Sequence, residues 1–267
     1  MKRKKPADNR YAALIESIFF SHYRTNDTAI PFHRDELTAT AKKLRLKLPK
    51  NLGDAIYSIR YRMLMPEAIV KTQPQGKEWV IEGRGKSLYA FRLVSINRIH
   101  PHEAMKEIKL PDATPEIVAA YALSDEQALL AKVRYNRLLD IFLGVAAYSL
   151  QNHLRTTVSG LGQVEIDEIY VALDKQGRQY VLPVQAKGGN DRLSSVQTRQ
   201  DMACCAEKFP QLRCRAIAAQ FMQDDLIALF ELVRNGDEIL VAEERHYRLV
   251  PADQISRDDL RSYDTDR

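Results

Sequence analysis

Cysteine is scarce in this chain, with three residues among 267. Cys204 and Cys205 are adjacent, and together with Cys214 they form neither a disulfide framework nor the paired spacing of a zinc site. A disulfide-stabilised secreted domain and a zinc-organised fold are therefore not indicated. We expect buried, reduced thiols and a cytoplasmic protein.

Long apolar stretches are also lacking, although 45% of the residues are hydrophobic. No run of about 18 apolar residues occurs, so the sequence predicts no transmembrane helix. The chain starts Met-Lys-Arg-Lys-Lys-Pro, which is basic but lacks the apolar segment that a signal peptide needs. We therefore expect no membrane partner. A chain of this length can bury one large core or two ordinary ones.

Positive charge is concentrated in the N-terminal part of the chain. Residues 1–110 contain 22 Lys and Arg against 11 Asp and Glu, whereas residues 111–267 contain 18 against 24. The net charge of +5 thus combines a basic first part with a mildly acidic remainder. This division favours a polyanion-binding module joined to a separate unit. Charge by itself does not distinguish DNA from RNA or from an acidic protein.

Residues 164–187 have the pattern of a β-hairpin, because two runs rich in β-branched residues flank a short polar turn with a glycine. If the turn centres on Gln176, Asp167 lies opposite Gln185 and Glu165 lies opposite Lys187. Side chains alternate between the faces of a strand, so these four polar groups share one face. Such a cluster makes a poor core and a good site for a hard cation with a lysine beside it. The alternative is an edge hairpin with a solvated polar face.

The order Asp167, hairpin, Gln185-Ala186-Lys187 resembles the PD-(D/E)xK nuclease superfamily. More narrowly, it is similar to the Mrr-like type II restriction endonucleases, whose motif has Gln where most relatives have Asp or Glu. The resemblance implies that Asp167, the Gln185 side chain and the Ala186 carbonyl bind a divalent metal ion. It also implies that Lys187 holds and polarises the attacking water.

Many PD-(D/E)xK enzymes add an acidic residue from the first core helix, and the sequence offers two candidates. Glu126 lies in the first turn of a helix predicted over 124–143, where stabilising the helix dipole is a sufficient explanation. Asp140 lies on the apolar surface of that helix, where its carboxylate needs a metal, an asparagine or an arginine as partner. We favour Asp140 as the catalytic residue. Glu165 is either a second catalytic metal ligand or the ion-pair partner of Lys187.

Residues 1–95 predict a domain of three helices followed by a β-hairpin. Apolar residues recur at helical spacing in 11–19, 34–44 and 51–63, and they alternate with polar residues in 78–82 and 89–93. This order resembles a winged helix-turn-helix, in which the third helix enters the major groove and the wing tip contacts phosphate. The alternative is a solvated basic face on a structural bundle. The resemblance makes five residues candidate DNA contacts: Tyr57, Arg60 and Arg62 on the third helix, and Arg84 and Lys86 at the turn.

Prolines and charged stretches in residues 96–123 predict a linker, which leaves 124–267 as the nuclease domain. Patterns after the hairpin predict helix 195–209, strand 215–221, helix 224–234 and a last strand at 238–241, followed by a loosely ordered tail. The expected fold class is therefore α/β (α+β), with a winged-helix-like domain and a restriction-endonuclease-like mixed-sheet core. Around that core, Arg155, Arg192 and Gln200 are further candidate DNA contacts.

These features predict a magnesium-dependent endonuclease that hydrolyses phosphodiester bonds in duplex DNA, with Mn²⁺ able to replace Mg²⁺. A restriction or defence role is implied by the resemblance. Because duplex cleavage requires two cuts, a homodimer is also expected. Two alternatives stay open: a repair or junction-resolving nuclease on the same core, and a non-catalytic DNA-binding regulator.

Overall fold

The structure, a computed structural model, describes residues 6–48, 65–95, 98–121, 125–188, 193–222, 225–236 and 238–264. The chain divides into two compact units. Unit 1 comprises residues 1–96 and 157–163, and unit 2 comprises residues 97–156 and 164–267. None of the described helices is long and apolar enough to cross a membrane.

Unit 1 places helices beside a three-stranded antiparallel sheet with the strand order β1, β3, β2. The second helix and the hairpin were predicted from the sequence and are confirmed. The predicted third helix, 51–63, lies outside the described residues. In chain order the elements are α1 (Pro6–His22), β1 (Ala29–His33), α2 (Arg34–Lys43), α3 (Glu67–Val70), β2 (Lys77–Gly83) and β3 (Leu88–Ser95).

Strand β1 was not predicted, because Pro31 suggested an interruption. The strand lies at the edge of the sheet, where proline is tolerated because its missing N–H need not pair. Its neighbours Ile30 and Phe32 point into the core of unit 1. Phe19 packs edge-on against Trp79 and Phe91 in this core, with ring centroids 5.2 and 5.1 Å apart. Unit 1 therefore has a hydrophobic core of its own.

Unit 2 is built on a mixed eight-stranded sheet, so the α/β class is confirmed at this coarser level. The strand order is β5, β13, β12, β11, β8, β7, β6, with β10 also pairing with β8. Its strands are β5 (Glu107–Pro111), β6 (Ala146–Val158), β7 (Gly162–Leu173), β8 (Gln179–Lys187), β10 (Arg213–Cys214), β11 (Ala216–Phe221), β12 (Leu226–Asn235) and β13 (Glu238–Val250). A separate two-stranded pairing joins β4 (Arg98–Ile99) to β9 (Leu193–Ser194).

Five described α-helices belong to unit 2, together with a short 3-10 turn, Ala252–Gln254. The helices Asp125–Tyr135 and Leu138–Leu143 bury Leu129, Leu138 and Phe142 in a hydrophobic cluster with Leu182 and Val184 of the sheet. The helix predicted over 124–143 is interrupted at Arg137, whose φ of 49° is left-handed. The helices are α4 (Glu116–Tyr121), α5 (Asp125–Tyr135), α6 (Leu138–Leu143), α7 (Ser195–Lys208) and α8 (Arg257–Tyr263).

The hairpin of β7 and β8 has the register that the sequence predicted. Its backbone pairs extend from Glu168 opposite Val184 to Leu173 opposite Gln179. Gly177 in the turn has a φ of 77°, a conformation that other residues adopt at a cost. The two strands adjacent in sequence are therefore also adjacent in the sheet, and β8 continues by pairing in parallel with β11.

The helix predicted over 224–234 was wrong, because this segment is the strand β12. Residues 226–230 are all buried, and the strand lies between β11 and β13. A continuous apolar run has no alternation, so its periodicity does not distinguish a central strand from a buried helix. Strand β13 also extends to Val250, well beyond the predicted end at 241.

The segment 96–123, predicted to be a linker, is part of unit 2. Strand β5 within it pairs in parallel with residues 246–250 of β13. Lys109 also binds the region that was expected to be a loosely ordered tail, through an ion pair of 3.0 Å with Asp259 and a backbone hydrogen bond of 2.9 Å to the Tyr263 hydroxyl. Composition did not reveal this strand, because its partner is distant in sequence.

The cysteines follow the sequence expectation in part. Cys204 and Cys205 on α7 are buried, whereas Cys214 on β10 is exposed. All three are free thiols.

Candidate active site

The candidate site begins at Asp167, one residue beyond the last backbone pair of β7 and β8, Glu168 with Val184. Asp167 Oδ2 accepts a hydrogen bond of 2.9 Å from the backbone N–H of Ala186. A side-chain oxygen thus satisfies a backbone donor of β8 where the antiparallel pairing has ended. This bond fixes the Asp167 carboxylate beside the segment Gln185-Ala186-Lys187.

Gln185 is buried on the same face and is held by three hydrogen bonds. Its Nε2 donates to Asp201 Oδ2 at 2.9 Å and to the Glu165 carbonyl at 3.3 Å. Its Oε1 accepts from Gln197 Nε2 at 2.7 Å. Two of these partners, Gln197 and Asp201, lie on α7. The helix that follows the hairpin therefore supplies the surroundings of the glutamine.

Lys187 ends β8 and lies 3.8 Å from Glu126, measured from Nζ to Oε1. The lysine side chain is 16% exposed and the glutamate side chain 45% exposed. Glu126 is the second residue of α5. Helix α5 thus brings a carboxylate to the lysine.

Burial dominates the electrostatics of the two acids near Gln185. Burial raises the pKa of Asp167, although the Lys187 charge and the Ala186 N–H partly offset it, and the Glu126 charge adds to it. Burial also raises the pKa of Asp201 well above its ordinary value, with the Asp167 charge contributing in the same direction. Both carboxyls are therefore held where negative charge is costly, which is the setting that a bound cation relieves.

Asp140, our favoured catalytic acid, has a structural role in this structure. Its Oδ1 accepts from the Arg137 guanidinium and, at 3.1 Å, from the Ala147 N–H. Its partner is thus an arginine, and the bonds join the start of α6 to the start of β6. Among the described residues, the acid that contacts Lys187 is Glu126. The helix-dipole explanation preferred for Glu126 overlooked this contact, which only the folded chain creates.

Glu165 has a partner that the sequence analysis did not consider. Its Oε1 accepts a hydrogen bond of 3.0 Å from Arg155 on the neighbouring strand β6. Of the two alternatives left open for Glu165, the ion pair with Lys187 is replaced by a cross-strand ion pair with Arg155. Arg155 remains 62% exposed, so it is still accessible from solvent.

The other predicted DNA contacts differ in their exposure to solvent. Arg84 and Lys86 are exposed in the turn between β2 and β3 of unit 1, as expected. Gln200 is buried on α7, with 3% of its surface exposed, which does not suit a DNA contact. Four candidates lie outside the described residues: Tyr57, Arg60, Arg62 and Arg192.

Glu168 lies on the opposite face of β7 and is fully buried. Its Oε1 accepts from Arg134 Nη2 at 2.8 Å and from the Ser149 hydroxyl at 2.5 Å. Arg134 belongs to α5, the helix that carries Glu126. This ion pair therefore fastens α5 to the strand that carries Asp167.

The donor chemistry fits a hard divalent cation such as Mg²⁺. Among the described residues, no three or more His, Cys, Asp or Glu side chains are grouped to hold a metal ion. The candidate donors are instead one carboxylate, one amide oxygen and one main-chain carbonyl: those of Asp167, Gln185 and Ala186. Magnesium commonly binds one or two protein carboxylates and keeps several waters, so a sparse oxygen set is sufficient. Asp201 Oδ1 is a further oxygen of this region, buried and without a hydrogen-bond partner among the described residues.

Asp201 is the site residue that the sequence analysis missed. A signal was present, because Gln197 and Asp201 are four residues apart and so share a face of α7. That face continues to Cys204 and Cys205, which are buried. Two polar residues on the buried side of a helix indicate a polar partner in the sheet.

Comparisons of the chain with known protein families, with curated proteins and with solved structures find no match.

Proposed function

We propose that this protein is a divalent-cation-dependent nuclease that hydrolyses phosphodiester bonds in duplex DNA. The observation that carries the proposal is the hydrogen bond between Asp167 Oδ2 and the Ala186 N–H, which sets a carboxylate beside Gln185 and Lys187. The same order of residues resembles the PD-(D/E)xK motif in its Asp, Gln-x-Lys form. A restriction or defence role is the corresponding proposal for its biological setting.

In the proposed reaction, a water molecule attacks phosphorus in line, the bond from phosphorus to the leaving sugar oxygen breaks, and that oxygen takes up a proton. A divalent cation held by Asp167, Gln185 and the Ala186 carbonyl would neutralise charge that builds on the phosphoryl oxygens and lower the pKa of the water. Lys187 orients the water by donating a hydrogen bond to it. Glu126 holds the lysine ammonium in place, 3.8 Å away.

Binding of the duplex is proposed for the basic unit 1. The support is the excess of Lys and Arg in residues 1–110 and the exposed Arg84 and Lys86 in the β2–β3 turn. A hairpin turn with two cations suits contacts to phosphate rather than to base edges. Arg155 in unit 2 is a further candidate phosphate contact, since its guanidinium is exposed.

The test is cleavage of supercoiled plasmid in Mg²⁺ by the wild-type chain and by Lys187→Met and Asp167→Asn. Each substitution should lower the nicking rate by about 10²–10⁴-fold, because a positioned catalytic group contributes that much. DNA affinity measured without Mg²⁺ should change little. Lys175→Ala is the matched control, since Lys175 is an exposed lysine in the turn of the same hairpin.

Nicking at the wild-type rate by both variants would show that the site is elsewhere. Preferential cleavage of branched DNA over linear duplex would favour a repair or junction-resolving nuclease. Duplex binding with no cleavage of any DNA tested would favour a non-catalytic regulator.

We also propose a homodimer, because two strands must be cut and each chain has one such site. Light scattering of the complex should then give twice the chain mass of 30.6 kDa plus the mass of one duplex. A monomer on DNA that still makes double-strand breaks would contradict this part of the proposal.

A further inference from the structure

The amide of Gln185 has almost all of its hydrogen-bonding capacity in use. Its nitrogen has two hydrogens, and they serve Asp201 Oδ2 and the Glu165 carbonyl. Its oxygen can accept two hydrogen bonds and accepts one described bond, from Gln197. One lone pair of Oε1 is therefore available for a further partner.

Two residues of α7 determine which way this amide points. Asp201 Oδ2 accepts the hydrogen bond from Gln185 Nε2 and therefore faces the nitrogen end of the Gln185 amide. Gln197 donates through its own nitrogen and selects the oxygen end. Turning the Gln185 amide by half a rotation would oppose oxygen to oxygen at Asp201 and nitrogen to nitrogen at Gln197. The two contacts together hold a single orientation.

Burying the Asp201 carboxyl has a free-energy cost that packing alone does not explain. It is 2% exposed, and its Oδ1 is buried without a hydrogen-bond partner. A buried polar atom without a partner destabilises a fold, so a residue needed only to fill space would be apolar. The one described side-chain hydrogen bond of Asp201 is the bond that it accepts from Gln185.

We propose that Asp201 is a positioning residue which, together with Gln197, holds the Gln185 amide so that Oε1 faces a bound divalent cation. This inference rests on the proposed function and deepens it. Groups that hold a ligand in orientation are part of a metal site, and their loss typically lowers metal affinity or activity by about 10–100-fold. Asp201 itself need not touch the cation or the DNA.

The first measurement is Mn²⁺ affinity by calorimetry on the full chain without DNA, which is independent of turnover. Asp201→Ala should weaken Mn²⁺ binding by about 10–100-fold. Asp201→Asn should weaken it less, because an asparagine oxygen can still accept from Gln185. Thr198→Ala is the control: Thr198 is a buried neighbour on α7 whose hydroxyl donates to the Ser194 carbonyl, directly before that helix. Its affinity should stay at the wild-type value.

A double variant that exchanges the hydrogen-bonding roles of Gln197 and Asp201 separates the effect of Gln185 amide orientation from the effect of packing. In the double variant Gln197→Glu with Asp201→Asn, the acceptor and the donor exchange ends, so both contacts to α7 can form with the Gln185 amide turned around, and only the long bond of 3.3 Å to the Glu165 carbonyl is lost. We expect this double variant to unfold in urea close to the wild-type midpoint and still to bind Mn²⁺ weakly. Recovery of both stability and Mn²⁺ affinity would overturn the inference, since orientation would then be irrelevant.

The outcomes distinguish the inference from the function on which it rests. A wild-type chain that binds Mn²⁺ as tightly as Asp201→Ala does would leave the nuclease proposal standing and remove the role of Asp201. A wild-type chain with no measurable Mn²⁺ binding, with or without DNA, would overturn the proposed cation site and the positioning role with it.

Discussion

The Asp167 carboxylate binds the Ala186 N–H at 2.9 Å, directly beyond the point where the backbone pairing of β7 and β8 ends. The bond connects one candidate metal ligand to the strand that carries the other two. A carboxylate that accepts a backbone hydrogen bond is fixed in direction, and fixed direction is what a catalytic group needs. The turn of the same hairpin, which joins Leu173 of β7 to Gln179 of β8, determines this register.

The hairpin turn provides the first prediction, on stability against pH. Burial would raise the pKa of Asp174, but hydrogen bonds from Arg178, Gln176 and Tyr180 outweigh it and hold the pKa at about 2. The folded value lies below the ordinary value of 3.8, so the ionised side chain stabilises the fold. This stabilisation is complete above the ordinary pKa and is lost as the pH falls toward about 2.

Asp174→Asn should therefore lower the melting temperature at neutral pH, and the difference from wild type should shrink as the pH falls through that range. Differential scanning calorimetry at a series of pH values measures it. Asp253→Asn, an exposed acid outside the hairpin, is the control. A difference that stays constant down to the lowest pH would contradict the assignment.

Much of the site could be predicted from the sequence because it is local. A glycine at the turn and alternating side chains determine the register of β7 and β8, and the register places Asp167 beside Gln185. Asp201 could not be placed in this way, because its contact depends on how α7 docks on the sheet. The partner of Asp140, left open between a metal, an asparagine and an arginine, could not be chosen for a related reason: the helix breaks at Arg137, which contacts it.

The fold, like the site, could be predicted from the sequence only where local patterns determine it. Elements with clear periodicity, such as α2, α7 and the two hairpins, were found. Strand β12 was mistaken for a helix because it is apolar on both faces, as a central strand of a mixed sheet must be. Strand β5 was missed because it pairs with β13, more than a hundred residues later.

The second prediction concerns the cation. Oxygen donors at Asp167, Gln185 and Ala186 suit hard ions, and no sulfur or imidazole donor was found among them, so Mg²⁺ and Mn²⁺ should support cleavage. Ca²⁺ should support DNA binding without turnover. Plasmid cleavage after treatment with a chelator, followed by addition of each metal, measures both. Full activity in excess chelator would contradict the proposed chemistry.

The third prediction concerns the buried ion pair of Arg134 and Glu168, which joins α5 to β7. Arg134→Met leaves Glu168 fully buried without its counter-charge. Loss of one partner from a buried pair costs about 3–5 kcal/mol, and we expect about 3 kcal/mol here because Arg134 is 35% exposed. Urea denaturation measures the change in the free energy of unfolding.

Two further variants separate charge from packing in this test. Arg134→Met combined with Glu168→Leu should recover most of the lost stability, because no buried charge remains. Arg137→Met removes a more exposed ion pair, with Asp140, and should lower the free energy of unfolding far less. Equal losses for Arg134→Met and Arg137→Met would show that the buried pair is not the cause.

The last prediction concerns the basic turn of unit 1. If Arg84 and Lys86 each neutralise a DNA phosphate, binding releases counterions, and affinity falls as salt rises. Replacing either residue by alanine should reduce the magnitude of the slope of log K against log salt by about 0.9, and replacing both by about 1.8. Because phosphate contacts carry no sequence information, the loss should be the same on duplexes of unrelated sequence.

Fluorescence anisotropy of labelled duplexes at several salt concentrations measures the slope. Lys77→Ala is the matched control, since Lys77 is an exposed lysine at the opposite end of β2 and should leave the slope unchanged. Slopes that change equally for Lys77 and for the turn residues would indicate a diffuse effect of net charge, and unchanged slopes for all three would place the DNA contacts elsewhere in the chain.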